Sequence, residues 1–514
     1  MTWRPSFGIM IAVLISSCGL PRVDRELTPP DAFRALSKPK VDELKNQSPF
    51  LKAHLKDGSL YIFSSWEYAR AGSTISGTAH KYDPGRRAGP SKNYSMSLDS
   101  VALIETNILS TSGPAIALTV FTGITAAVTV FCITNPKACF GSCPTFYVLD
   151  GNDPQLDAEG FSSSISPFLE STDLDGLPHA SGKDGELTLQ MKNEALETHI
   201  VRRADILAVP RKQGCGVFKD LHGHFWESPR QISPALALGP EGNCLPALSR
   251  ADGRERSSRS DETDLAAKET IDLQFHLDPK SSYGLILSCR QSLLPTYLLY
   301  QTLAYMGNDA GFWLARPDIR SYGEPMEKLL GGIEVAVRDA HSGWRSIGSV
   351  NEHGPLARDS HLLPLGNSTD TTLAVRLTMA KGMWRIDHAA LAELSQSLEP
   401  VRLQPRSVLK DGREDSDALA RLLDPSQTLV TFPGDVYTLT YALSQKQAEY
   451  EFFLESRGYY LEWMRAEWIQ EQNPQLLSEM FLSPAAALKR LAPDFKRVEP
   501  GMEDCFWRSR YAKQ

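Results

Sequence analysis

Positive charge is the scarcer sign in this chain of 514 residues: 54 Lys and Arg stand against 62 Asp and Glu, a formal net charge of −8. That balance excludes the basic footprint that nucleic acids require and the polybasic attraction that holds proteins to anionic lipid heads. Signatures of catalysis are lacking as well. There is no nucleophile elbow, no phosphate-cradling glycine loop and no zinc-protease histidine pair, so no catalytic residue and no cofactor are expected, and a binding or structural role is favoured over an enzyme. Cysteine is sparse, with 8 in the chain. Cys139 and Cys143 sit one residue too far apart for a zinc knuckle and no second knuckle is nearby, so no metal is expected. Aromatic side chains are plentiful, with 9 Trp, 16 Tyr and 20 Phe. They can fill real cores, which excludes a disordered chain. The length is a prior for about three or four domains.

What is present begins at the amino terminus. Thr2-Trp3-Arg4 gives a short positive start, Phe7 to Ile15 is an apolar run of signal-peptide length, and Ile15-Ser16-Ser17-Cys18 follows. This pattern resembles the lipobox of bacterial lipoproteins. The resemblance implies that Cys18 is alkylated with diacylglycerol, that the chain is cut before it, and that the new amino group is acylated with a palmitate-class chain. Each buried methylene is worth roughly 0.8 kcal/mol, so two or three such chains anchor durably. Gly19 after Cys18, rather than Asp, implies the outer membrane where the cell has one. An exported chain would meet an oxidising compartment, where some of the remaining cysteines would pair. Cys139 with Cys143 and Cys215 with Cys244 are the candidate disulfides, and the odd number left after Cys18 leaves at least one thiol free.

The expected fold class is mainly β, α+β overall, built of several small β-modules including a jelly-roll-like sandwich, with C-terminal helices. After a signal peptide over 1–17, residues 18–50 have the Pro-, Lys- and Ser-rich composition of a flexible tether. A small β-module is expected over 51–110. Residues 111–137 form an uncharged apolar segment, with Pro114 to Ile133 long enough to cross a bilayer. A crossing would set the rest of the chain opposite an exported amino terminus, and Lys81, Arg86, Arg87 and Lys92 on its N-terminal side conflict with the positive-inside rule. A buried helix and a membrane-associated segment both stay open. A β-rich domain over 138–250 follows, in which Leu187 to Met191 alternates as a half-buried strand does. A charged linker over 251–269 leads to a sandwich-like domain over 270–400 and a mixed region over 401–514. There Leu429–Phe432 and Val436–Thr440 bracket Pro433-Gly434-Asp435 as a hairpin, Tyr459 to Glu471 reads as a helix, and a last helix is expected from Pro484 to about Leu491.

Candidate ligand residues are few. Trp344 and Trp384, each soon after a strand, with Arg385 and Asp387, have the composition of a carbohydrate platform. Strand, turn and Trp-Arg-Ile-Asp together resemble galactose-binding-type jelly rolls, a likeness of fold that implies sugar binding only by analogy. Tyr460, Met464 and Trp468 are spaced by four, with Trp463 beside them, as a packed helical stripe would be. The run Cys143-Pro144-Thr145-Phe146-Tyr147 and its continuation are similar to runs in uncharacterised bacterial envelope proteins, which carry no activity to transfer. The expected protein is a lipid-anchored cell-envelope module without a catalytic centre. A surface glycan-binding or glycan-hydrolysing enzyme and an envelope assembly factor with a membrane-embedded partner are the alternatives. Expected partners are the membrane through the anchor and an envelope protein or glycan.

Overall fold

The computed structural model describes residues 22–28, 30–48, 51–55, 59–82, 88–110, 143–149, 153–182, 185–279, 281–339, 343–351, 354–367, 370–443, 449–464, 468 and 471–508. Cys18, Cys132, Cys139 and the apolar run 114–133 lie outside them. Among the described residues no helix is long and apolar enough to cross a membrane. The fold is mainly β: antiparallel sheets of three to six strands, with helices gathered toward the C-terminus.

The first module is a six-stranded sheet with two helices on one face. Leu60–Ala69 and Thr74–Tyr82 form its long hairpin, and Phe33, Phe63, Trp66 and Ile75 fill its core. The tether expected over 18–50 is corrected from residue 22 onward. Arg22–Thr28 is a strand paired with Val101–Ser110, and Pro30–Ala35 and Lys38–Gln47 are helices. Composition suggested a spacer, but Phe33, Val41 and Leu44 are buried, and apolar burial decides.

The module's opposite face docks on the body. His54 stacks on Trp463 with ring centroids 4.1 Å apart and planes inclined by 12°, while Leu103 joins Leu196 and Trp463 in a small apolar cluster. Lys52 and His54 both reach the buried Glu105 carboxylate, at 2.7 and 3.0 Å. A buried charge is tolerated where it is paired in this way.

The second unit is a sandwich of two sheets. One contains Thr145–Val148, Gln155–Glu159, Glu186–Lys192 and Val436–Ala442. The other is built on the long pair Glu197–Pro210 and Tyr450–Glu462, flanked by Val401–Leu403 and Ser171–Gly176. Phe146, Leu189, Leu439, Ile206 and Leu454 share its core. Two expectations fail here. Tyr450–Glu462 is a strand, so the helix expected from Tyr459 is absent as far as Glu462. Pro433-Gly434-Asp435 does turn the chain, with Asp435 N–H bonded to Phe432 O at 2.9 Å. Its arms part, however: Leu429–Thr431 pairs with Glu197–Pro210, and Val436–Ala442 pairs with Glu186–Lys192 in the other sheet.

The third unit is the sandwich-like pair of sheets expected after residue 270. Lys268–His276, Ile333–Asp339 and Thr372–Ala380 lie in one sheet, Ser282–Gln291, Asp359–Asn367 and Trp384–Leu394 in the other. Their core continues into the helices Leu294–Met306, Pro474–Leu482 and Pro484–Arg508. The last helix runs well beyond Leu491. The charged stretch 251–269 is not a linker. Arg256 is buried and binds Glu241 and Glu269 through both ends of its guanidinium.

The two sandwiches meet at a buried polar junction. Glu159 Oε2 accepts the backbone N–H of Leu356 at 2.9 Å, and a Cβ on Gly354 would fall 2.1 Å from that oxygen. Burial pushes the Glu159 carboxyl up to about 7, against the backbone N–H groups of Leu356 and Ala357. Beside it, Asp359 accepts the Gly176 N–H at 3.0 Å and pairs with the buried Lys219 ammonium. Burial, then the neighbouring Asp173, push the Asp175 carboxyl well above the ordinary carboxylate range.

Candidate functional site

The expected sugar platform is not assembled. Trp384 is 1% exposed in the third unit's core, and Asp387, also 1% exposed, accepts the Gly253 N–H and pairs with Arg358. Arg385 pairs with Glu503 of the last helix. Trp344 stands apart on the edge strand Gly343–Val350, 37% exposed, with the Arg376 guanidinium 4.3 Å above its ring. Trp384 and Ile386 share the strand face that packs into the core, and Asp387 is the extra residue of a β-bulge opposite Ser288 and Cys289.

The candidate disulfide Cys215–Cys244 is corrected too. Cys215 and Cys244 are thiols and do not pair with each other, while the expected Cys139–Cys143 pair falls on residue 139, outside the described residues. Cys244 is buried in the third unit's core, while Cys215 lies in the turn before strand Gly216–Lys219 and is only half-buried. Among the described residues, no group of three or more His, Cys, Asp or Glu side chains is arranged to hold a metal ion. His222 and His224 sit in a turn, where Asp220 takes both of their backbone N–H groups.

The concave polar site lies elsewhere. On the second unit, a cleft of about 610 Å³ is lined by Arg202, Arg203, Arg402 and Arg457, together with Glu170 and Asp205. Its geometry begins with a β-bulge. Val201 pairs with Gly458 and Arg203 with Arg457, so Arg202 is an extra residue on its strand. Val201 and Ala204 face the sandwich core, and the half-buried Arg202 and Arg203 lie between them on the outer side. A regular strand would send successive side chains to opposite faces; the bulge puts two neighbouring arginines on one. Gly458 permits the close approach, because a Cβ there would fall 2.2 Å from Ile200 O.

Carboxylates hold the arginines in place. Glu170 receives Arg202 Nε on both oxygens at 2.7 Å and Arg457 Nε on one at 2.8 Å. Burial pushes the Glu170 carboxyl up, but the bonds from Arg202 and Arg457 outweigh it and leave it below its ordinary value. On the other side, Arg402 forks onto Glu455 at 2.6 and 2.8 Å and reaches Asp205 at 2.9 Å. Arg203 adds a bond to Glu455 at 2.7 Å. The Arg402 bond is the main cause holding the Glu455 carboxyl low, whereas burial raises Asp205 despite Arg402. The apolar wall comes from Leu422 and Leu423 of helix Ser416–Leu423.

With all groups ionised, the four arginines face three carboxylates, Glu170, Asp205 and Glu455, so the cleft is net positive on a negative chain. Sequence reasoning missed these residues. The adjacent pair Arg202-Arg203 was visible, but nothing local announced the bulge or brought Arg402 and Arg457 alongside. A separate pair also went unnoticed: Asp157 accepts the backbone N–H of His179 at 2.9 Å and holds its ring Nδ1. No protein-family model matches the chain, and no curated protein matches it either.

Proposed function

We propose that this chain is a lipid-anchored protein of a bacterial cell envelope, held through Cys18, which binds a ligand in the arginine cleft. The single observation that carries the binding role is the cleft's composition. Arginine keeps its charge throughout the physiological range, and its planar fork is suited to recognition rather than proton transfer. Of the two carboxylates lining the cleft, Glu170 is bound by two arginines and Asp205 by Arg402. A pocket with an apolar wall and a few convergent charged groups is the usual form of a ligand site. The anchor rests on the lipobox resemblance, and outer-membrane placement on Gly19.

Fractionation tests the anchored location. Wild type is expected in the membrane pellet, digestible by protease added outside spheroplasts, and Cys18→Ala in the soluble fraction. A soluble wild type, or protection from outside protease, would overturn the envelope assignment.

A second reading has one observation in its favour. Trp344, Arg376 and Asp272 lie together on the outer face of their sheet, with Arg376 forked onto Asp272 at 2.7 and 2.8 Å. An exposed indole beside a fixed polar pair suits a sugar, so this face is where the glycan alternative would act. Retention on immobilised peptidoglycan that Trp344→Ala abolishes would support that reading; equal retention of both would refute it.

A further inference from the structure

The cleft's four arginines are not equivalent. Arg402 turns its terminal nitrogens into protein, forking onto Glu455. Arg202 and Arg457 do the reverse. Each meets Glu170 through Nε, the nitrogen nearest the stem. This leaves their terminal nitrogens without a protein partner among the described residues. Both side chains line the cleft, with 32% of Arg202 and 47% of Arg457 exposed. Glu170 binds both by the same oxygen, Oε1, so it draws together two guanidinium groups that would otherwise repel.

We infer that Arg202 and Arg457 form the seat for a phosphoryl group, an assignment that rests on the cleft being the ligand site. Two unengaged forks offer more charge-assisted donors than a planar carboxylate can accept, whereas a phosphoryl group presents three acceptor oxygens. The seat forms around the bulge, and the extra residue there is Arg202 itself. Glu170 neutralises one of the two charges, which leaves the pair net positive and attractive to a dianion. Arg203 and Arg402, already engaged by Glu455 and Asp205, are the frame around it. Arg202, Arg457 and Glu170 are binding and positioning groups, and no bond is made or broken.

Titration calorimetry on the full chain in detergent tests this with inorganic pyrophosphate, with succinate, and with phosphatidic acid set against phosphatidylcholine, each lipid in mixed micelles of the same detergent. Pyrophosphate should bind saturably. Arg202→Gln and Arg457→Gln should each weaken binding roughly tenfold or more, and Arg320→Gln, on helix Ile319–Leu330 packed against the third unit's core, should not. Arg457→Lys keeps the charge, loses the fork and is expected to weaken binding too, so it serves if the Gln variants fold poorly. Binding to phosphatidic acid micelles alone, lost in the same variants, supports the seat and assigns its phosphoryl group to a lipid. Succinate binding lost in these variants, with no response to pyrophosphate, would overturn the phosphoryl assignment and leave the cleft as a ligand site. No binding of any probe, or binding indifferent to Arg202 and Arg457, would overturn both.

Discussion

Glu159→Gln should change the pH dependence of stability. The wild-type carboxyl is 2% exposed where the two sandwiches meet, and burial lifts it to about 7 from its ordinary 4.5. Its folded state therefore keeps a proton that the unfolded chain releases at lower pH. The stability associated with that proton is fully present below about pH 4.5 and lost as pH rises through about 7. A shift of about 2.5 units at about 1.4 kcal/mol each comes to about 3 kcal/mol between pH 4 and pH 8. Glutamine does not titrate, and its carbonyl can still accept the Leu356 N–H. Whatever the substitution costs in packing applies equally at every pH. Urea unfolding of both proteins, from pH 4 to pH 8, should show the variant gaining about 3 kcal/mol on the wild type across that range. Parallel stability profiles would refute the assignment of a buried, proton-holding carboxyl at this junction.

Other perturbations read other parts of the fold. Trp463→Ala should cost about 3–5 kcal/mol in chemical denaturation, because Trp463 is 2% exposed, stacks on His54 and donates Nε1–H to Thr198 at 2.9 Å; a loss below about 1 kcal/mol would show that the first module does not dock there. Gly458→Ala should destabilise by about 1–3 kcal/mol through the clash with Ile200 O, and thermal melting at an unchanged midpoint would contradict the close approach at the bulge. Alkylation of unreduced, unfolded protein should label both Cys215 and Cys244, whereas a peptide joining them would contradict the free thiols.

Strands with one buried face are legible in the amino-acid pattern alone. Leu187 to Met191 and Ile271 to Leu277 alternate, and the first lies wholly and the second up to His276 within a strand whose inward residues are buried. The class, mainly β with C-terminal helices, follows from many such segments. The errors have a common cause in tertiary packing. Tyr460, Met464 and Trp468 have helical spacing, yet Tyr460 packs within the second sandwich, while Met464 and Trp468 belong to the third unit's core, where Trp468 lies against Tyr300. The turn at Pro433-Gly434-Asp435 is recognisable, but which sheet each arm joins depends on partners hundreds of residues away. The cleft is hidden for the same reason. Alternation implies opposite faces for Arg202 and Arg203, and only the pairing with Tyr450–Glu462 reveals the inserted residue.

The most direct test of the ligand cleft is a crystal structure of the chain grown with pyrophosphate at a concentration near its dissociation constant. The account predicts one bound anion between Arg202 and Arg457, its oxygens on their terminal nitrogens, with Glu170 still holding both Nε atoms. An anion bound elsewhere, or the two guanidinium groups turned away from an empty cleft, would contradict it.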